Sequence, residues 1–271
     1  ALLRLRSAGY KRRYRATAMG WRGAAVLRRN AAVALGNALD RAVNAELRGP
    51  LPTRFAVIAM GRFGGHEFGY GSDADVLFVH DPRPGYPEKH ASDAAHAVAV
   101  ELRRLLALPV PDPALIVDAD LRPEGRHGPL VRTLAAYHGY YRRWSAPWEA
   151  QALMRAEPAA GDAGLGAEFT RMIAEFRYPE GGIDPHAARE IRRIKARMEA
   201  ERIPRGADRA LHVKLGPGGL SDVEWTVQLL QLRHAHALPG MRTTRTGAAM
   251  GAAVEAGLLA AEDGAALVTS W

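Results

Sequence analysis

Cysteine is absent from this chain of 271 residues. Disulfide bonds and thiolate zinc sites are therefore excluded, and the composition suits a reducing compartment. Long apolar runs are absent as well, since no stretch approaches the roughly 18 residues that a membrane-spanning helix needs. We therefore expect a cytoplasmic protein with no membrane partner, long enough for one large domain or two ordinary ones.

Lysine is scarce: arginine outnumbers it 33 to 4, while alanine and glycine are abundant, which indicates a GC-rich coding bias rather than a binding code. The formal net charge of +8 suits ATP, an acidic partner surface or nucleic acid equally well. Charge alone therefore leaves a nucleic-acid-binding module open, and such a module would show a steep salt dependence with polynucleotide and no metal-dependent ATP binding.

Acidic side chains are missing from the first 39 residues, and the first carboxylate is that of Asp40. The arginine- and alanine-rich stretch over residues 2–39 superficially resembles a transit peptide or an RNA-binding arm, and its apolar spacing predicts a long helix with a basic face. The chain begins at Ala1 without methionine and ends at Trp271 within a predicted helix. We therefore expect a piece of a longer polypeptide, with residues 1–52 as a helical connector between domains.

Two aspartates lie at the start of a predicted buried strand. Alternate strand residues point to the same side, so Asp73 and Asp75 can share one face and hold hard divalent cations between them. After the apolar strand upstream come Gly64 and Gly65, whose missing side chains let backbone N–H groups approach a triphosphate. A D-x-D pair alone is more typical of turns and helix caps. Together with the Gly-Gly turn, it is the layout of a nucleotidyltransferase.

A third carboxylate follows another apolar strand. Asp118 and Asp120 share one strand face, so their spacing leaves open which of them faces the first pair. A strand beside the first pair would place one of them next to the metals. We expect the other to form a structural ion pair with Arg122 or Arg126.

An aromatic helix follows, in which Trp148, Glu149 and Gln151 come after several tyrosines. Aromatic residues at helical spacing are more typical of a core than of a cofactor contact. If Glu149 or Gln151 faces inward it needs a polar partner, and it could orient Arg155 or a phosphate-binding group.

A glycine-rich turn precedes a further helix. Lys214 could reach a phosphate as a point charge, while the loop with Gly218 and Gly219 closes over a nucleotide. The alternative is an ordinary helix start, with Ser221 or Asp222 as the cap.

Four segments, in this order, resemble the signatures of the bacterial glutamine synthetase adenylyltransferases, whose members carry an adenylyl-transferring and an adenylyl-removing half. They read AMGRFGGHEFGYGSDAD (59–75), VDADLRP with GPLV (117–131), WEAQAL (148–153) and HVKLGPGGLSDVEW (212–225). The matches run from about residue 54 to about residue 236. In the second signature Asp118 takes the position of the third catalytic acid. Many members carry arginine where this chain has Asp120, so the local charge balance differs.

The resemblance implies an α/β (α+β) fold, with a polymerase-β-like nucleotidyltransferase domain and helical flanking regions. It implies Mg²⁺-dependent transfer of AMP from ATP to a tyrosine of glutamine synthetase. The metal ligands and catalytic residues would be Asp73, Asp75 and Asp118. The nucleotide-binding residues would be Gly64, Gly65, Ser72, Arg62, Lys214, Gly218 and Gly219.

Several alternatives stay open. Within the family, the removing half releases AMP by phosphorolysis with the same carboxylates, but the sequence Glu67-Phe68-Gly69 followed by Tyr70 favours the transferring half. The uridylyltransferase of the PII signalling protein has a similar K-x-x-x-G-G-L segment, and PII itself is a candidate partner. A catalytically silent nucleotide-binding module that regulates the other half is a further class, although three mutually repelling acids argue against it.

The predicted organisation has three parts. A helical lead-in (1–52) ends at a Gly-Pro-Leu-Pro break. The catalytic domain (53–180) has strands near 54–60, 74–80 and 113–119 and a helix near 88–108. After a Pro-Glu-Gly-Gly break, residues 181–271 are predicted to be helical, with helices near 184–202, 221–236 and 243–256 and from 260 onward.

Overall fold

The computed structural model describes residues 24–46, 50–69, 72–108, 114–204, 206 and 208–271. The first part of the predicted lead-in helix, the Tyr-Gly pair before Ser72 and the start of the third predicted strand lie outside these residues. No helix within the described ranges is both long and apolar enough to cross a membrane.

The strands of the described chain form one mixed sheet. They are β1 (Thr53–Ala59), β2 (Ala74–Pro82), β3 (Val117–Asp118), β4 (Val131–Thr133) and β5 (Glu157–Gly161). The order across the sheet is β3-β2-β1-β5, and β4 also pairs with β2. β1 is antiparallel to both β2 and β5, whereas β3 and β4 run parallel to β2. Since β3 meets the start of β2 and β4 meets its middle, the two short strands share one edge of β2.

α-Helices surround this sheet and account for most of the other described residues. They are α1 (Ala24–Glu46), α2 (Gly61–Gly64), α3 (Glu88–Leu106), α4 (Leu134–Trp144), α5 (Pro147–Leu153), α6 (Ala163–Met172), α7 (Ala174–Arg177), α8 (Pro185–Arg202), α9 (Leu220–His234), α10 (Thr246–Glu255) and α11 (Ala261–Ser270). The mixed α/β class and the helical character of the last third are confirmed.

The sheet separates two apolar cores, because β1 and β2 are buried on both faces. On one face Phe55, Val57 and Phe78 pack with residues of α1 and α3. On the other face Ile58 and Leu77 pack with residues of α4 and α6. A strand that is buried on both faces reads as an unbroken apolar run, which is why these two strands were predictable.

Two strands were missed by the sequence analysis. β4 has only three residues, and β5 reads Glu-Pro-Ala-Ala-Gly, without apolar alternation. β5 is an edge strand, and its Pro158 is tolerated there because an edge strand can leave one side unpaired. These strands owe their conformation to pairing with β2 and β1 rather than to a local pattern.

The lead-in helix takes part in the first core. Leu35, Leu39 and Ala42 of α1 are buried in the same cluster as Phe55. The described part of the predicted connector therefore packs directly on the α/β sheet. The boundary after residue 52 stays a prediction.

The predicted aromatic helix is in fact two helices, α4 and α5, because the helix breaks between Trp144 and Pro147. The tyrosines of α4 contribute to the core, as their spacing indicated. Tyr137 and Tyr141 are buried and pack with Phe169 and Phe176. Trp144, at the end of the helix, is 65% exposed and stacks with the guanidinium of Arg143. These tyrosines thus contribute packing rather than a cofactor contact.

Replacing Leu35 by alanine should lower the free energy of unfolding by about 2–5 kcal/mol, since the side chain is fully buried against the sheet. The matched control is Val33→Ala on the same helix, where the side chain is 52% exposed. It should change stability by no more than about 0.5 kcal/mol. Urea unfolding followed by circular dichroism measures both, and equal losses would contradict the placement of α1.

Candidate active site

Carboxylates from two neighbouring strands meet at one end of the sheet. In the parallel ladder Asp75 of β2 lies opposite Asp118 of β3, and the Ala74 N–H donates to the Ile116 carbonyl at 2.7 Å. Asp73 precedes β2 by one residue and is exposed, whereas Asp75 and Asp118 are partly buried. The structure therefore brings Asp118 beside Asp75, as the sequence suggested. The roles of these side chains stay predictions.

The electrostatic potential at the Asp75 carboxyl is negative, because other carboxylates lie nearby. Burial, and after it the nearby charge of Asp118, raises the pKa of this carboxyl to about 6. Lys214 opposes the shift, while Asp73 and Glu224 add to it. Three carboxylates thus act on the Asp75 carboxyl, with the single lysine Lys214 to balance them.

Asp118 and Asp120, which the sequence could not tell apart, have different partners. Asp120 forms ion pairs with Arg126 at 2.6 Å and Arg122 at 3.5 Å. Asp118 accepts a hydrogen bond from the Asp120 backbone N–H at 2.7 Å and has no ion pair among the described residues. The expected structural ion pair is therefore made by Asp120, which leaves the Asp118 carboxylate on the side of Asp75.

Arg122 holds the turn after β3 in place. Its buried guanidinium donates to the carbonyls of Ala119 at 2.8 Å, Gly128 at 3.0 Å and Arg126 at 3.1 Å. Since the guanidinium satisfies three carbonyls of one turn, the Leu-Arg-Pro signature has a structural reason here.

Gly61, which the sequence analysis did not single out, packs directly against Asp75. Its φ is +51°, and a Cβ at this position would overlap with the Asp75 carboxylate. The preceding Met60 N–H donates to the Asp75 carbonyl at 2.8 Å. A glycine immediately after a buried strand was the signal that could have revealed it.

Gly64 and Gly65 are held in a short helical turn. Their N–H groups donate to the Met60 carbonyl at 2.8 Å and the Gly61 carbonyl at 3.0 Å. A Cβ on Gly64 would overlap with the Arg155 carbonyl, and one on Gly65 with the Arg155 guanidinium. The glycines therefore admit Arg155 and have no free N–H for a phosphate in this arrangement. Phosphate binding by Gly64 and Gly65 stays a prediction.

Of the two residues predicted to balance the phosphate charge, Arg62 is engaged in an ion pair and Lys214 is not, within the described residues. Arg62 donates through Nε to Glu224 at 2.9 Å and lies over the ring of Trp271. Lys214 is exposed, and its ammonium has no hydrogen bond or ion pair to any residue that the structure describes. Of the two cations, Lys214 is the one free to meet a ligand.

The glycine-rich turn before α9 is closed by hydrogen bonds within it. Gly218 donates to the Asp222 carboxylate at 2.6 Å, and Gly219 donates to the Gly216 carbonyl at 2.9 Å. Asp222 therefore reaches back from the first turn of α9 to the preceding turn, but it does not cap the helix. The N-cap residue is Gly219, and no side chain caps it, so the predicted cap by Ser221 or Asp222 is wrong. Ser221 is not a cap, since its buried hydroxyl has no partner among the described residues.

The remaining predicted residues have hydrogen-bond partners within the protein. The Ser72 N–H donates to the Gly69 carbonyl at 3.2 Å. Glu149 accepts hydrogen bonds from the Ala146 N–H at 2.8 Å and the Tyr140 hydroxyl at 3.4 Å. Gln151 donates to Gln228 at 2.7 Å. The suggestion that Glu149 or Gln151 orients Arg155 is wrong, because neither bonds to it.

Arg155 is oriented instead by residues that sequence reasoning missed. Its guanidinium bonds to Glu67 and Thr246 and lies 3.8 Å from Glu224. These residues are far apart in sequence, so no local spacing could have connected them.

The donor chemistry at the strand ends suits a hard cation, because Asp73, Asp75 and Asp118 offer only carboxylate oxygens and carry excess negative charge. They are not drawn into a tight cluster: within the described ranges, no three histidine, aspartate or glutamate side chains are grouped closely enough to hold a metal ion. These three residues could hold Mg²⁺ once their carboxylates converge.

Two family models match the chain. The model described as glutamate-ammonia ligase adenylyltransferase matches residues 16–172, and the model described as GlnD PII-uridylyltransferase matches residues 192–271. The first covers the sheet with its carboxylates, and the second covers the helical region from α8 onward.

Curated relatives named bifunctional glutamine synthetase adenylyltransferase/adenylyl-removing enzyme are similar over most of the chain. Identity is 66% over 221 residues in Streptomyces coelicolor, 65% over 221 residues in Streptomyces avermitilis and 58% over 234 residues in Nocardia farcinica. These matches cover 82–86% of this chain but only 22–23% of the relatives. The chain, which spans less than a quarter of the relatives' length, belongs to the glutamate-ammonia ligase adenylyltransferase family.

Proposed function

We propose that this chain carries the adenylyl-transferring activity of its family, moving AMP from ATP to a tyrosine of glutamine synthetase with Mg²⁺. The observation that carries the proposal is the placement of Asp118 beside Asp75 at the end of two parallel strands. The names of the relatives support the reaction class and the protein substrate. We further propose that the sheet and its flanking helices form a polymerase-β-like nucleotidyltransferase domain.

The reaction makes one bond and breaks one at the phosphorus, and it releases the proton of the tyrosine hydroxyl to water. The tyrosine oxygen attacks the α-phosphorus of ATP, the bond from that phosphorus to the β-bridging oxygen breaks, and pyrophosphate leaves. A free tyrosine hydroxyl, with a pKa near 10, is mostly protonated at neutral pH, so it must lose its proton on attack. Mg²⁺ held by Asp73, Asp75 and Asp118 would neutralise the triphosphate and lower the pKa of the hydroxyl.

The chain's own residues do the remaining work. Asp118 would orient the incoming hydroxyl, since within the described part of the chain its carboxylate accepts a hydrogen bond from the Asp120 N–H and has no ion pair. Lys214 supplies an unpaired positive charge near Asp75 for the phosphates. The turn with Gly218 and Gly219 carries Lys214 and would close over the nucleotide. Arg62 would serve as a counter-charge only after leaving Glu224.

A second candidate is the removing reaction, in which phosphate attacks the same phosphorus on adenylylated glutamine synthetase and ADP leaves. The two activities in the relatives' names keep this candidate open. The Phe68-Gly69 segment before β2 favours transfer. The PII signalling protein as a further partner and a cytoplasmic location belong to the same proposal.

Replacing Asp73 and Asp75 together by asparagine should abolish label transfer from α-³²P-ATP to purified glutamine synthetase with Mg²⁺, because the metal would lose two ligands. Asp118→Asn should lower the rate by at least about 100-fold. The matched control is Asp120→Asn, which should keep most of the activity because Asp120 is engaged with Arg126.

Three results would count against this reading. Full activity in the double variant would exclude the carboxylate pair. Release of ADP from adenylylated glutamine synthetase and phosphate, with no label transfer, would identify the removing half. ATP binding with neither reaction would identify a regulatory module.

Asp75→Asn should stabilise the metal-free protein at neutral pH. The pKa of Asp75 is about 6 in the folded state, higher than the ordinary 3.8 of an aspartate, so this group favours folding at low pH and the benefit is lost as pH rises through about 6. At pH 7.5 the variant should gain on the order of 2 kcal/mol, and at pH 4 almost nothing. Thermal unfolding in EDTA at both pH values measures the difference. An equal or lower melting temperature at pH 7.5 would contradict the burial of this charge.

A further inference from the structure

Arg155 lies buried where the α/β part meets the C-terminal helices. Its side chain is 4% exposed, and its guanidinium bonds to the Glu67 carboxylate and the Thr246 hydroxyl. Glu67 follows α2, and Thr246 is the first residue of α10. One side chain therefore joins two segments that are 179 positions apart in sequence.

Glu67 makes the same connection independently. Its carboxylate accepts the Thr246 backbone N–H at 2.7 Å and the Thr246 hydroxyl at 3.0 Å. Arg245, at the N-cap position of α10, provides no side-chain cap. A glutamate from the α/β part thus caps this helix, where a negative charge is also favoured by the helix dipole. Glu67, Arg155 and Thr246 form a closed three-way arrangement.

The segment that begins at Glu67 leads directly into the site. The Glu67 N–H donates to the Arg62 carbonyl at 2.9 Å, which ties the segment to the end of α2. Six residues later the chain reaches Asp73 and then β2. Glu67 is therefore anchored to α2 at a point six residues before Asp73 in the sequence.

A second branch reaches the site through α9. Glu224 lies 3.8 Å from Arg155 and accepts from Arg62 Nε at 2.9 Å. Its side chain is 15% exposed, and its charge acts on Asp75. Arg155 thus contacts both Glu67, which binds the start of α10, and Glu224 of α9, which binds Arg62 on α2.

The Gly-Gly turn has its reason in this arrangement. Neither Gly64 nor Gly65 could carry a side chain without displacing Arg155. The two glycines are therefore required at these positions because the buried Arg155 occupies the space that a side chain would need.

We propose that Arg155 is a positioning residue for the reaction at Asp75, which acts through Glu67 and Glu224 to hold the segment leading into β2 and the start of α9 in one arrangement. The proposal rests on the proposed function, because the rate it affects is that of nucleotidyl transfer. A purely structural role would lower stability and leave the turnover of the folded enzyme unchanged.

Thr246→Val tests the proposal in the intact polypeptide, since it removes the hydroxyl and keeps the branched shape. We expect kcat to fall roughly 10- to 100-fold, because small displacements of catalytic groups cost rates of this size. KM for ATP should change by less than about threefold, since Lys214 is untouched. Hydrogen–deuterium exchange of peptides covering residues 67–75 should become faster.

Two variants serve as controls. Thr246→Ser keeps the hydroxyl that accepts from Arg155 and donates to Glu67, so it should restore turnover and slow exchange. Arg245→Lys, at the exposed neighbouring position, should behave as wild type. Unchanged kcat in Thr246→Val, or equal losses in the valine and serine variants, would overturn the proposal. If the wild-type protein neither transfers nor removes AMP, the proposed function fails. In that case equal hydrogen–deuterium exchange in Thr246→Val and Thr246→Ser would still exclude the positioning role of Arg155.

A double-substitution cycle separates the two explanations of Gly65. Gly65→Ala should lower the melting temperature strongly in wild type and much less in the presence of Arg155→Met, because the overlap with the guanidinium is then removed. Gly247→Ala, where a Cβ meets nothing within 4 Å, is the matched control and should be neutral or slightly stabilising. Additive effects of the two substitutions, with a raised KM for ATP in both backgrounds, would assign Gly65 to phosphate binding and overturn this account of the Gly-Gly turn.

Discussion

The parallel pairing of β2 with β3 is the interaction on which the rest of the site depends. It places Asp75 and Asp118 side by side, although like charges at this spacing repel each other. The pairing is stabilised from elsewhere, because β2 is buried on both faces and paired with β1 along its length. Hydrophobic burial on two faces of one central strand thus offsets the electrostatic cost of the carboxylates at its end.

The electrostatic repulsion between Asp75 and Asp118 is also the basis of the proposed metal binding. A carboxylate whose pKa is raised to about 6 by burial and by neighbouring acids is poorly solvated and lacks an adequate counter-charge. A divalent cation supplies that counter-charge, so an environment that is unfavourable without metal is suited to binding it. Asp120 shows the contrast within one turn, because two arginines balance its charge and it lies apart from this field.

The helical region completes the site through long-range polar contacts. Glu67 caps α10, Arg155 joins both, and Glu224 of α9 binds Arg62 on α2. Buried ion pairs of this kind contribute little net stability but define one arrangement of the groups they join. One of the two matching family models ends at residue 172 and the other begins at residue 192. These contacts therefore connect regions that are matched by different family models.

The sequence by itself determined the local features. The apolar runs of β1 and β2, the helical periodicity of the last third and the order of the acidic motifs were all readable, because each depends on neighbouring residues. Only the tertiary structure decided which of Asp118 and Asp120 is paired with arginine, that β5 forms, and that the Gly-Gly turn packs on Arg155. For β5 and for the Gly-Gly turn the physical reason is that strand pairing and close packing join residues far apart in the chain, which a linear pattern does not reveal. For Asp118 and Asp120 the reason is that the turn after β3, rather than the spacing, decides which carboxylate meets the arginines.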